Sequence, residues 1–347
     1  MDLCLKDLKH QMSQLREFDF AERASAGLLI VAGGFEERAI TFSKKLKKSV
    51  CSLERTLVLH YENQADDNSP NYEKLKTKLR SLTGEKSLLC TVHADKPIQS
   101  SRSIEKKIRE LAGTVQDRTA IVDISGMTHL WALTTIHSCL RSGLHTLVVY
   151  TEAKTYFPTR KVRSRLLSAW KAQEYEVAAE YLQSAGLKEV QILPEFAGNF
   201  RPGTQTCLIV FVGYEPNRIK GLVDIYAPGA MMVFYGRPPH QEFSWRTRLS
   251  HELHEELFSQ WLVRRGEVST LEVNQILKAL EEEYRTIRER YDVAIAPQCS
   301  KMQALASYLF WRRHPEVQLL FTSPVRFNPS NYSKGAGRTF TYEIGSS

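Results

Sequence analysis

The chain repeats itself, and that repeat limits the folds open to it more than any other feature. LLIVAGGFEERAI (28–40) lies over CLIVFVGYEPNRI (207–219). Each is an apolar run followed by a glycine (Gly34 or Gly213), an aromatic residue (Phe35 or Tyr214), a glutamate (Glu36 or Glu215) and an arginine (Arg38 or Arg218). Further along, AIVDISGMTHLWALTTI (120–136) matches DVAIAPQCSKMQALASYL (292–309), and LVVYTEAKTYFPT (147–159) matches LLFTSPVRFNPS (319–330). Three matches in one order point to a duplicated supersecondary unit.

The periodicity says what kind of unit is repeated. Short apolar runs bounded by glycine or polar turns read as buried parallel strands, and the amphipathic stretches between them as helices. Strands are predicted at 27–35, 55–63, 86–95, 118–125 and 145–153. In the second half they fall at 206–215, 230–236, 268–273, 291–297 and 316–324, with a further strand in the tail RTFTYEI. Strands alternating with helices predict a mostly parallel sheet flanked by helices. The expected class is therefore α/β: two tandem Rossmann-like repeats, mostly parallel, forming a pseudo-dimer. The expected division is an N-terminal amphipathic helix (1–24) plus the first repeat in 1–157, a helical linker in 158–205, and the second repeat in 206–347. A chain of 347 residues has ample length for two such cores.

In parallel sheets, ligands bind beyond the carboxyl ends of the strands. The glycine-aromatic-glutamate loops and the strand-to-helix turns of both halves fall at that edge. At the start of a helix the amides are unpaired and the dipole is positive, which suits a phosphate. Gly126 permits close approach, Ser125 or Thr128 offers a hydroxyl, and His129 a ring nitrogen; Ser300 and Lys301 offer the same chemistry in the second half. The competing reading is that Ser125 and Thr128 only cap the helix. Glu36 with Arg38, and Glu215 with Arg218, have two readings too: ligand contacts, or structural ion pairs. No G-x-G-x-x-G and no G-x-x-x-x-G-K-[ST] occurs, so neither the dinucleotide fingerprint nor a P-loop is supported, and no cofactor or metal is expected.

VDISGMTHLWALT resembles the strand-turn-helix motif of CRISPR-associated Rossmann-fold (CARF) domains, and the tandem arrangement is similar to SAVED domains. The resemblance implies that Ser125, Gly126, Met127, Thr128 and His129 form one ligand turn, with Ser300, Lys301 and Met302 in the other. It also implies a cyclic-oligonucleotide ligand, a protein effector partner and a role in antiviral defence. Met127 and His129 stand where the family has glycine and lysine, and Pro297, Gln298 and Cys299 where glycines are expected.

Charge and cysteine content set the remaining bounds. A net charge of +8 and a pI near 9.1 favour acidic partners, nucleic acid among them. The six cysteines contain no C-x-x-C pair and read as reduced thiols of a cytoplasmic protein. The charged N-terminus does not read as a signal peptide, and no apolar run is long enough for a membrane span. Catalytic signals are thin. Arg246 and His251 share the R-x4-H spacing of HEPN ribonucleases, HELHEE (251–256) is not a metalloprotease motif, and Asp123 and Asp292 are candidate bases with an ordinary structural alternative. Three functions follow: a nucleotide or cyclic-oligonucleotide sensor, a nucleotide- or RNA-processing enzyme on the same scaffold, or a scaffold subunit of a defence complex. Whether the chain catalyses anything is left open.

Overall fold

The computed structural model describes residues 15–17, 25–46, 52–62, 65–84, 86–259 and 263–345. The chain divides into two units, Met1–Tyr156 with Ser333–Ser347, and Phe157–Tyr332. Both are mixed α/β units built on parallel sheets.

The first unit holds β1 (Leu15–Glu17), β2 (Ser25–Ala32), β3 (Ser52–Tyr61), β4 (Ser87–Val92), β5 (Thr119–Asp123), β6 (His145–Thr151) and β7 (Thr155–Tyr156). Helices α1 (Thr41–Lys45), α2 (Ala65–Thr83), α3 (Pro97–Ala112) and α4 (His129–Arg141) lie between them. The sheet order puts β6-β5-β2-β3-β4 side by side, all parallel. Strand β2 is almost wholly buried because both its neighbours and both faces are covered, which is why it reads as a continuous apolar run. Its Leu29 and Val31 pack with Val58, Leu75, Leu79, Ile121 and Leu147 in one core.

The second unit opens with α5 (Arg163–Lys171) and α6 (Tyr175–Ala179), then β8 (Ser184–Ala185) and β9 (Glu189–Gln191). Its main sheet comprises β10 (Thr206–Val212), β11 (Ala230–Arg237), β12 (Val263–Ser269), β13 (Asp292–Pro297) and β14 (Gln318–Leu319), joined by α7 (Pro216–Tyr226), α8 (Trp245–Ser259), α9 (Val273–Ile287) and α10 (Lys301–Arg313). The order is β12-β11-β10-β13-β14, again all parallel. Short strands β15 (Phe321–Ser323) and β16 (Arg326–Phe327) pair back on β9 and β8.

Numbered along the chain, the five parallel strands of each unit lie in the same spatial order, fifth-fourth-first-second-third. The first two matching sequence segments fall on the first and fourth strands of both units, and the third runs from the fifth strand into the short strands that follow it.

Several expectations are corrected. Segment 158–205 is part of the second unit, not a separate linker. Its long helix-prone stretch breaks into two short helices, with Gln173 between them at φ 61°, a left-handed conformation no helix interior holds. The tail leaves the second unit. Strand β17 (Ser333–Lys334) pairs with β7, and β18 (Thr339–Ile344) runs antiparallel along β6, with β1 on its other side. The amphipathic helix expected over 1–24 lies mostly outside the described residues, and its one described stretch, 15–17, is strand. The helix expected over 245–266 ends at Ser259, and the strand expected at 268–273 starts earlier, at Val263. The alternation of Arg264, Arg265 and Glu267 hid that edge strand. Among the described residues no helix is long and apolar enough to cross a membrane.

Candidate functional site

Where the first and fourth strands of such a sheet adjoin, the connections leave in opposite directions and open a crevice beyond the strand ends. In the first unit the loops after β2 and β5 meet there. A Cβ on Gly126 would stand 2.7 Å from the Ala32 carbonyl oxygen and 2.8 Å from the Ala39 Cβ, and one on Gly34 would stand 3.0 Å from the Gly126 carbonyl oxygen. The two glycines therefore permit close approach, as expected of Gly126, but to the chain's own backbone.

The polar residues around them are engaged in holding the loops. Glu36 and Arg38 are both buried and paired through two bonds, 3.2 Å from Nε and 3.0 Å from Nη2. The Arg38 Nη1 also reaches the Tyr150 hydroxyl at 3.3 Å, and the guanidinium lies 5.8 Å from the ring centres of Tyr150 and Tyr156. Burial, the largest single effect, works against the Arg38 charge, but Glu36, Tyr150 and Tyr156 together outweigh it, so its pKa is raised and it stays charged. Ser333 donates to Glu36 Oε1, and Asn71 Nδ2 lies 3.0 Å from the carbonyl oxygens of both Gly34 and Phe35. This supports the ion-pair reading of Glu36 and Arg38.

Ser125 is fully buried: its amide donates to Asp123 Oδ1 at 3.0 Å, and its Oγ accepts from the Thr151 amide at 2.9 Å. Asp123 thus closes the turn locally. Thr128 is exposed and caps α4, its Oγ1 accepting from the Trp131 amide at 3.4 Å. Its own amide donates to the Tyr61 hydroxyl at 3.1 Å, which donates onward to the Gly126 carbonyl at 3.3 Å. His129 is half-buried at the first helical position.

The second unit repeats the plan with different fastenings. The Gly213 carbonyl accepts from Ser250 Oγ at 2.8 Å. Tyr214 accepts from Arg246 Nε at 3.1 Å, and that guanidinium lies 4.9 Å from its ring centre. Glu215 is buried and meets Arg218 at 3.5 Å, with Ser184 Oγ donating to Glu215 at 3.1 Å and accepting from Arg218 at 3.2 Å. Ser300 forms a full capping box with Gln303, each side chain taking the other's amide at 3.1 Å, and donates to the Thr270 carbonyl at 2.8 Å. Lys301 is half-buried at the first helical position. Cys299, at the turn, is free, and burial pushes its thiol up to about 12, so it is not a nucleophile at neutral pH.

The other catalytic candidates resolve as structural. Arg246 is buried and donates to the Pro158 and Phe157 carbonyls at 2.8 and 2.7 Å. His251 stacks on Tyr235 with ring centres 3.6 Å apart and pairs with Glu267. Asp292, at the start of β13 and so at the opposite end of its strand from Asp123, binds Arg201 twice, both times at 2.8 Å. No group of three or more His, Cys, Asp or Glu among the described residues is placed to hold a metal ion.

The fastenings Tyr61, Asn71, Ser184 and Ser333 are absent from the sequence-level candidates. Tyr61 alone left a signal there, a hydroxyl-bearing aromatic at the carboxyl end of a parallel strand; the others act from distant segments. Of the sequence-level candidates at the helix starts, Thr128 is exposed, while His129 and Lys301 are half-buried at the first positions of α4 and α10.

No protein-family model matches the sequence, and no curated protein does. Among solved structures, one similar chain is that of Can2 from Sulfobacillus thermosulfidooxidans in complex with cyclic tetra-adenylate (12% identity, 48% of this chain and 54% of that one, TM-score 0.24). The chain thus spans about half the length of Can2. A second is UDP-GlcNAc 2-epimerase from Neisseria meningitidis bound to UDP-GlcNAc (11% identity, 78% and 77%, TM-score 0.25). A third is the cytoplasmic domain of a prokaryotic cation chloride cotransporter (7% identity, 89% and 98%, TM-score 0.23). Scores this low carry no argument about what the chain binds.

Proposed function

We propose that the chain is a duplicated Rossmann-like module that binds a nucleotide or cyclic oligonucleotide at its strand-to-helix turns, signals to a protein partner, and belongs to an antiviral system. The observation that carries this reading is that both units have the same strand order and both place a polar turn and a helix N-terminus at the first–fourth strand junction. An anion over α4 gains from the helix dipole, the Thr128 hydroxyl and the His129 ring; over α10 it gains from Lys301. The CARF-like turn selects cyclic oligonucleotides as the first probes.

Thr128→Asp makes a clean test. Aspartate is as good an N-cap as threonine, so the fold is kept, but its charge repels a phosphate at the same spot. The full chain is expected to melt at higher temperature with a cyclic oligoadenylate than without it. Thr128→Asp is expected to keep the ligand-free melting temperature and lose that rise, and Lys301→Ala to reduce it. A panel of cyclic and linear nucleotides that leaves the parent's melting temperature unmoved would sink the proposal. Hydrolysis of a probe would instead select an enzyme on the same scaffold.

A further inference from the structure

The second unit carries a basic surface separate from its strand-to-helix turn. The run TRKVRSR (159–165) leads into α5, and Arg160, Lys161 and Arg165 are exposed. Arg163 reaches from the start of α5 to Glu252 on α8, both contacts at 2.8 Å, which places the two helices side by side. One turn earlier on α8, on the same helical face as Glu252, Arg248 is exposed as well. Arg246, two residues before it, is bonded to the Phe157 and Pro158 carbonyls, so the first turn of α8 adjoins the start of the run. Among the described residues Arg160, Lys161, Arg165 and Arg248 make no ion pair. Glu252, one turn after Arg248 on α8, is paired with Arg163.

Helix α5 is also built against its own stability. It has no side-chain cap, since Val162 stands at the N-cap position, and no acidic residue in its first turn, where Arg163 and Arg165 sit instead. Cations at a helix N-terminus oppose the dipole, and the missing cap leaves donor amides unserved. Both local devices that would settle this helix end, a side-chain cap and an acidic first turn, are absent, and an external anion serves in place of either. A local rule broken without internal compensation marks a surface shaped for a partner.

We propose that this face binds the phosphate backbone of a polynucleotide. Three of the four free cations are arginine, whose fork matches phosphate oxygens, and cations spread over two adjacent helices track a line of charges better than a single small anion. A lipid surface fits less well. The exposed apolar residues nearest in sequence, Tyr175 and Val177, sit on α6 beside the exposed carboxylates Glu174 and Glu176, which an anionic bilayer repels.

The test is fluorescence anisotropy of the full chain with a labelled single-stranded RNA and a duplex DNA of mixed sequence, across a salt series. The triple reversal Arg160→Glu, Lys161→Glu, Arg165→Glu is expected to weaken binding at least ~10-fold and to flatten the log–log salt slope by about 2 for a single strand. Arg248→Glu is expected to flatten it by about 1. A control with the same change of net charge elsewhere, Lys74→Glu, Arg102→Glu, Lys106→Glu, is expected to leave binding near the parent's. The triple reversal puts one carboxylate in the first turn of α5, at position 165, and two just before the helix, and should melt no lower than the parent; the neutral set Arg160→Gln, Lys161→Gln, Arg165→Gln repeats the measurement if it does. Equal weakening by the control overturns the proposal in favour of net charge. So does binding of phosphatidylserine vesicles without binding of either nucleic acid, or no binding at all. The triple variant is expected to keep any melting-temperature rise caused by a cyclic oligonucleotide, and Thr128→Asp to keep polynucleotide binding, so the two proposals fail separately.

Discussion

The two strand-junction turns share a plan and differ in how they are locked. In the first unit the loop after β2 is held by the doubly bonded, buried Glu36–Arg38 pair, and the turn after β5 by glycine-to-backbone contact and the Tyr61 hydroxyl. The helix cap there is one long bond, 3.4 Å, from an exposed threonine. In the second unit the ion pair is looser, 3.5 Å and relayed through Ser184, while the cap is a complete box with an extra bond to Thr270. The first unit fixes its first loop with a doubly bonded, buried ion pair and caps its helix with a single long bond; the second holds its first loop through Ser250, Arg246 and Ser184 and caps its helix with a full box. The same backbone plan thus tolerates different fastenings.

The ion pairs give the largest expected contrast. Arg38→Met takes both guanidinium bonds from the buried Glu36, leaving it the Ser333 hydroxyl, and should cost about 3–5 kcal/mol. Arg218→Met leaves Glu215 its bond from Ser184 and should cost about 1–2 kcal/mol. Urea unfolding of both variants measures the difference, and equal losses would break the comparison.

Acid should expose the second unit next. His254 is fully buried on α8, its Nδ1 donating to the Ser250 carbonyl at 2.8 Å, and burial lowers its pKa from 6.5 to about 4. The unfolded chain therefore takes up a proton that the folded one refuses. Stability is intact above pH 6.5 and falls as pH drops toward 4, by an amount on the order of 3 kcal/mol. Leucine at this position should remove that part of the pH dependence of the unfolding free energy; an unchanged profile would assign it elsewhere.

The caps give the smallest effect. Ser300→Ala should cost about 1–2 kcal/mol and Thr128→Ala about 0.5 kcal/mol. Thermal melts that rank them the other way would remove the distinction drawn between the two turns.

Strand positions were legible because buried parallel strands must be apolar through their middles, as β2, β5, β10 and β13 are. The matching segments stood out in the sequence for the same reason. The candidate residues lie in the loops after the first and fourth strands, but what they bind there was not legible. Whether Glu36 meets a ligand or Arg38 and Ser333 depends on which distant segments arrive beside it, and nothing in GGFEER encodes that. Gln173 and the edge strand β12 show the local limit: a break set by one left-handed residue, and a strand whose charged residues mask its alternation.

The return of β18 to the first sheet has a consequence for the order of events during synthesis. The second unit, Phe157–Tyr332, is one uninterrupted stretch, whereas the first is split around it. A ribosome delivers every residue of the second unit before it has made Ile344, the last residue of the strand that borders β6. The sheet that starts first is therefore completed last. Until then the edge of β6 stands exposed on the nascent chain, a template for mispairing that β18 closes.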